Sequence, residues 1–242
     1  MKIGMRSLRF FILLFAASSL LFHPPSDFEA FAEHTDGSFV EKIQEINYTT
    51  LLADTEFELG NGDLFGISVA NIGDLDGGGV NDLAVGAAYD DTNGRNKGAV
   101  HILFMNIDGS VKSDPPMQTI SNATNGPNLA KDAYFGKSVA NIGDLDGDGV
   151  NDLAVGAHGD NAIHIMFMNT DGTVKSTVEI NGASGLGIAK KDHFGRSVAN
   201  IGDLDGDGVN DIAVGQHLGN KIHIMFMNTD GSEKSPPDGT TK

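Results

Sequence analysis

Ser138–Gly156 reads SVANIGDLDGDGVNDLAVG. It returns as Ser197–Gly215, SVANIGDLDGDGVNDIAVG, and stands once earlier as Ser68–Gly86, SVANIGDLDGGGVNDLAVG. At its centre Asp144, Asp146, Asp148 and Asp152 occupy positions 1, 3, 5 and 9 of a nine-residue loop. Carboxylates so spaced converge on one point while the residues between them turn away, and they repel one another unless a cation sits among them. Hard oxygen donors of this kind select Ca2+ over zinc or copper. Gly149, at position 6, permits the positive φ that bends the chain back around an ion. An EF-hand loop also opens D-x-D-x-D-G, but it requires a bidentate Glu at position 12. Val85, Val155 and Val214 stand there instead, each inside an apolar β-type segment rather than a helix. A lone Asp-Gly run is an ordinary solvated turn; three copies in one flanking sequence argue for a calcium loop.

Working outward, three landmarks recur in fixed order. Phe65-Gly66, Phe135-Gly136 and Phe194-Gly195 each lie nine residues before the first loop Asp. After each loop comes an apolar strand: Val100–Met105, Ile163–Met168 or Ile222–Met227. Asp108-Gly109, Asp171-Gly172 and Asp230-Gly231 then provide hairpin-type turns. In IHIMFM, Ile163, Ile165 and Phe167 point one way and His164, Met166 and Met168 the other, so neither face is polar. Sheets covered on both sides and repeated at this spacing suggest all-β blades stacked face to face around an axis. Glycine, 32 of 242 residues, is well above its usual share of about 7% and suits tight turns and close backbone packing.

The order Phe-Gly, D-x-D-x-D-G-x-x-D, Val-Gly-Ala resembles the FG-GAP repeat of integrin α-subunit β-propellers over roughly Phe65–Gly231. The resemblance implies four-stranded antiparallel blades, around residues 65–120, 135–180 and 194–242. It also implies a Ca2+ site in each loop, with a backbone carbonyl at position 7. Carried over, the ligands are Asp144, Asp146, Asp148, the Val150 carbonyl and Asp152, then Asp203, Asp205, Asp207, the Val209 carbonyl and Asp211. The first loop has Gly78 at position 5, which leaves Asp74, Asp76, the Val80 carbonyl and Asp82. The Pro of Gly-Ala-Pro is missing from all three repeats. Three blades are also fewer than the four to eight that close a ring.

The ends bear on that shortfall. Thr35–Asn47 resembles Thr170–Asn181, the turn and outer strand of the second repeat, whereas the tail after Gly231 carries Pro236 and Pro237 and makes a poor strand. Thr35–Asn47 is therefore a candidate closing strand for the last blade, in the same chain or a neighbour's. A homo-oligomer that completes the propeller and a fragment of a longer propeller are both open.

Lys2, Arg6 and Arg9, the apolar run Phe10–Phe22 and Ala30-Phe31-Ala32 read as a secretory signal over 1–32, leaving 33–242 as the repeat region. The formal charge is −17, and 11 of the 33 acidic residues sit in the three loops, which makes nucleic acid an unlikely partner. Cysteine is absent, so metal is the available staple for a secreted domain. His101, His164 and His223 hold one frame position and read as structural, and no nucleophilic triad can be singled out. The expectation is a secreted or cell-surface, non-enzymatic binding and adhesion module for an extracellular protein or glycan. The alternatives are an accessory part of a secreted hydrolase and a structural surface component.

Overall fold

A strand such as IHIMFM is stable only in a sheet shielded on both faces, and the chain answers by stacking sheets. The computed structural model describes residues 43–47, 51, 60, 62–122, 124–182, 188–189 and 192–234. Among these, the regular elements are eleven strands, all within the compact unit Gln44–Lys242. They are β1 (Phe65–Gly73), β2 (Asp82–Ala87), β3 (Ala99–Leu103), β4 (Gln118–Ser121), β5 (Phe135–Gly143), β6 (Asp152–Ala157), β7 (Ala162–Met168), β8 (Val174–Asn181), β9 (Phe194–Gly202), β10 (Asp211–Gln216) and β11 (Lys221–Met225). Three antiparallel sheets result, ordered β1-β2-β3-β4, β5-β6-β7-β8 and β11-β10-β9, one blade per repeat. The fold is all-β and built of FG-GAP-type blades.

Two details differ from the sequence reading. The third sheet has three strands among the described residues, with β11 at its edge. The apolar strands of the first and third repeats also stop short, at Leu103 and Met225. There the chain is already closing its hairpin: Lys112 N–H donates to the Phe104 carbonyl, and Met105 pairs with Val111 as an isolated bridge. The signal segment 1–32 and residues 35–42 of the candidate closing strand lie outside the described residues. Gln44–Asn47 stand outside the ladders, and Ile46 packs on the first blade beside Leu103 and Met105.

Each Asp loop leaves its first strand through a register slip. In β1 and β2, Asn71 pairs with Leu83 but Gly73 with Asp82, and the second blade repeats this at Asn141 and Gly143. Gly73 and Gly143 both have φ of 79°, which a side chain would resist.

Blade stacking buries the core in two seams. Ile102 and Phe104 of the first blade pack with Phe135, Val155 and Met166 of the second. Ile163 and Ile165 of the second pack with Phe194, Val214 and Met225 of the third. Consequently β7 is buried along its whole length. In β11 Ile222 and Ile224, which match Ile163 and Ile165, lie open, with Ile222 74% exposed. Polar contacts set the seams. Ser68 Oγ donates to the Gly136 carbonyl at 2.8 Å, and Ser138 Oγ to Gly195 at 3.0 Å. Asn151 Nδ2 donates back to the Ile72 carbonyl at 3.0 Å, and Asn210 Nδ2 to Ile142 at 2.9 Å. The Gly195 carbonyl lies where a Cβ on Gly156 would have to go. Gly156→Ala should therefore force the seam apart and destabilise the chain by about 1–3 kcal/mol, read as a lowered urea midpoint.

Candidate metal centres

Burial divides each loop into a closed end and an open end. Asp82, Asp152 and Asp211, at position 9, begin the second strand of each blade and are 0–1% exposed. Asp152 accepts N–H bonds from Leu145 at 2.8 Å and Met168 at 3.0 Å. Asp82 does the same with Leu75 and Met105, and Asp211 with Leu204 and Met227. One carboxylate thus ties the loop to the far end of the blade's third strand. The open end is held by position 1: Asp144 accepts from the N–H groups of Gly147, Asp148 and Gly149 at 2.8–3.0 Å. Gly149 has φ of 92°, as position 6 requires.

Carboxylate oxygens of positions 1, 3 and 9 converge in every blade. Within each of the sets Asp74/Asp76/Asp82, Asp144/Asp146/Asp152 and Asp203/Asp205/Asp211, one oxygen per residue lies within 4.8 Å of the others. Asp148 and Asp207, at position 5, stand outside these sets. They accept the N–H of Val150 and Val209 and face a lysine instead. Val80, Val150 and Val209 turn their side chains onto the three apolar clusters.

The lysines were not anticipated from the sequence. Lys175 Nζ lies 2.6 Å from Asp146 and 2.7 Å from Asp148; Lys234 Nζ lies 2.6 Å from both Asp205 and Asp207. In the first blade Lys112 pairs with Asp76, and its ammonium occupies the space a side chain on Gly78 would fill. The signal was available as a repeat: each lysine is the third residue after a hairpin Asp-Gly, in Asp-Gly-(Ser/Thr)-x-Lys. Hydrogen bonding to Lys175 holds the Asp148 carboxyl below the usual carboxylate range, and the Lys175 ammonium is correspondingly raised. The donor chemistry fits a hard divalent cation, and an ammonium already stands where positive charge is required.

His101 and His164, two of the three histidines at the shared frame position, are packing groups, whereas His223 on the third blade bonds the Gln216 side chain. His101 and His164 are 0–2% exposed, and each ring meets its own blade's Phe-Gly phenylalanine, with centroids 5.7 Å apart for both Phe65 and Phe135. Burial pushes both imidazoles down to about 4, so they are neutral. His158 and His193 join Tyr134 in a short run of ring contacts across the blades.

Fold and loops together define an FG-GAP repeat protein. Residues 144–214 match the FG-GAP-like repeat family. The chain is similar to integrin alpha-4 of Xenopus laevis, 32% identical over 200 residues, covering 80% of this chain and 18% of that protein. Human integrin alpha-6 is 36% identical over 155 residues, covering 62% of this chain and 12% of that one. The chain therefore spans under a fifth of either relative. Among solved structures, a protein of unknown function from Bacteroides caccae aligns at a TM-score of 0.36 and 14% identity, over 70% of this chain and 44% of that one.

Burial, opposed by the Leu145 and Met168 N–H bonds and reinforced by Asp146 and Asp148, pushes the Asp152 carboxyl up to about 6. A proton on it stabilises the metal-free native chain relative to an unfolded one, whose carboxyl titrates near 3.8. That contribution is complete below the unfolded value and lost as pH rises through about 6. In chelator, the melting temperature should accordingly fall between pH 5 and pH 7 by more in the native chain than in Asp152→Ala. At pH 7 the same variant orphans two buried N–H groups and should lose about 1–3 kcal/mol for each, less the relief of burying no charge, measured by denaturant titration.

Proposed function

We propose that this chain is a secreted, calcium-stabilised binding module of integrin α type. The observation that carries the reading is the threefold recurrence of a converging Asp cluster that already attracts a cationic side chain. Ca2+ is held in the second loop by Asp144, Asp146, Asp148, the Val150 carbonyl and Asp152, and in the third by Asp203, Asp205, Asp207, the Val209 carbonyl and Asp211. The first loop offers Asp74, Asp76, Val80 and Asp82. Asp148 and Asp207, which face a lysine, would add their carboxylates to the metal's charge balance, and the buried position-9 carboxylate would serve it while fastened by its two N–H bonds.

The metal's role is structural. It cancels the repulsion within each loop and links the strand joined to position 1 with the strand begun at position 9. The similarity to integrin α subunits supports a role in adhesion at the cell exterior, toward a protein or glycan ligand. The basic Lys2, Arg6 and Arg9 followed by the apolar run Phe10–Phe22 support export. No helix among the described residues is long and apolar enough to cross a membrane. A binding role, rather than catalysis, is also in keeping with His101 and His164 being neutral packing groups.

Calorimetry with Ca2+ on single-loop variants (Asp74→Ala, Asp144→Ala, Asp203→Ala) tests the ligand set. The second and third loops should bind more tightly than the first, because Gly78 supplies no carboxylate; a first loop that binds tightest would overturn the assignment. Excess Ca2+ should raise the melting temperature and chelator lower it, with about 2.7 kcal/mol per site when free metal is a hundred times Kd. An unchanged melt would reduce the loops to ordinary turns.

A further inference from the structure

The two seams within the chain define what a blade needs on each side, and the outermost faces carry the two unmatched halves of one more seam. In both seams the Asn of the following blade reaches the preceding one. Asn141 and Asn200 Nδ2 donate to the carbonyls of Asn71 and Asn141 at 3.0 and 3.1 Å, and Asn151 and Asn210 to those of Ile72 and Ile142. The first-blade counterparts, Asn71 and Asn81, have no such acceptor among the described residues. The third blade holds the complementary gap. A Cβ on Gly73 or Gly143 would meet Asn151 or Asn210, whereas at Gly202 it would meet nothing within 4 Å. Ser197, matching Ser68 and Ser138, has no such glycine carbonyl among the described residues. Beside Ser197, Gly215 and Ile222 an open groove of about 610 Å³ takes the place that Gly195 fills in the preceding seam.

The apolar faces agree. Ile222, Ile224, Phe226 and Leu204 are exposed on the third blade, while their second-blade counterparts Ile163, Ile165, Phe167 and Leu145 are buried. On the first blade Val69 is 57% exposed, against 8% for Val139.

The segment Gln44–Asn47 shows how the seam closes. Its Glu45-Ile46-Asn47 repeats Glu179-Ile180-Asn181 of β8, including the same side-chain bond: Asn47 Nδ2 to Glu45 at 2.6 Å and Asn181 Nδ2 to Glu179 at 2.5 Å. Ile46 packs on the first blade as Ile180 packs on the third blade's side of its own sheet. Gln44 lies against hairpin Gly109 as Gln118 of β4 lies against Gly172. But Gly172 also meets Ile102 and Phe104, and Gly231 meets Ile165 and Phe167; the corresponding Ile224 and Phe226 are the exposed residues of the third blade. Gln44–Asn47 thus takes on the first blade the place that an outer strand of a preceding blade would take, and β11 is a sheet edge with no outer strand among the described residues.

We propose that a second copy of this chain supplies both: the third blade of each copy docks on the first blade of the other and takes that copy's Gln44–Asn47 as its fourth strand, closing a six-bladed ring of two chains. Six blades fall within the range that closes, and two head-to-tail seams satisfy both open faces of both copies. By the register of β7 with β8, where Ile163 faces Ile180, Ile222 of one copy faces Ile46 of the other. This inference rests on blade faces and holds whatever metal the loops take.

Sedimentation equilibrium of the purified protein in Ca2+ should give twice the chain mass. Ile222→Glu, at a position exposed in the single chain, should keep the β-sheet circular dichroism and weaken the dimer at least about a hundredfold, since the seam would bury an unpaired charge. The chain has no cysteine, so Ile46→Cys with Ile222→Cys should oxidise to a covalent dimer, while either change alone should not. A folded, soluble native monomer would overturn the proposal and leave these faces to blades of a different chain. So would an open polymer, a dimer indifferent to Ile222→Glu, or a bridge formed within one chain. Repeating the sedimentation in chelator separates the two readings: a dimer that survives with an unchanged melt would sink the calcium assignment alone.

Discussion

The Asp152 carboxylate, shut away from water, accepts N–H bonds from Leu145 in its own loop and from Met168 at the end of β7. Without that pair of bonds the nine-residue loop would be a flap on the blade. With it, the turn between β5 and β6 is fastened across the sheet to a strand it does not adjoin in sequence. The cost is a buried negative charge close to Asp146 and Asp148, and the lysine at the other end of the loop answers it in part. A divalent cation answers it better, because it brings two charges to oxygens already gathered. The same bond pair recurs in all three blades.

Stacking depends on a second constraint, the nearness of backbones at the seams. Gly86 and Gly156 lie so close to the carbonyls of Gly136 and Gly195 that no side chain fits between them. Serine hydroxyls bind those same carbonyls, and asparagine amides from the next blade bind the strand that leads into the loop. The Phe-Gly pair is thereby a coupling element: Phe135 fills the core beside Val155, and Gly136 gives the previous blade its acceptor. Asp loop and seam meet at Asn151, whose amide reaches the preceding blade from inside the loop. Order in a loop is therefore linked to blade alignment, which would give a bound cation a route to the stability of the whole stack.

Much of this was legible in the residues. The spacing of carboxylates, the glycine at position 6 and the doubly apolar strands follow from local geometry, and they led to loops that gather carboxylates on all-β blades. Local pattern could not reveal the lysines, because Lys175 is 27 residues from Asp148 and the two meet only when the hairpin after β7 folds back. Nor could it separate Asp152, which is buried and converges with Asp144 and Asp146, from Asp148, which is exposed and faces the lysine. Spacing alone treats the two alike; the N–H groups of Leu145 and Met168 place the one, and the hairpin lysine the other. Sequence alone also left the shortage of blades without geometry. Tertiary packing turned it into two particular faces, with Ile222 bare where Ile163 is covered, because only a neighbouring sheet determines which side of a doubly apolar strand meets water.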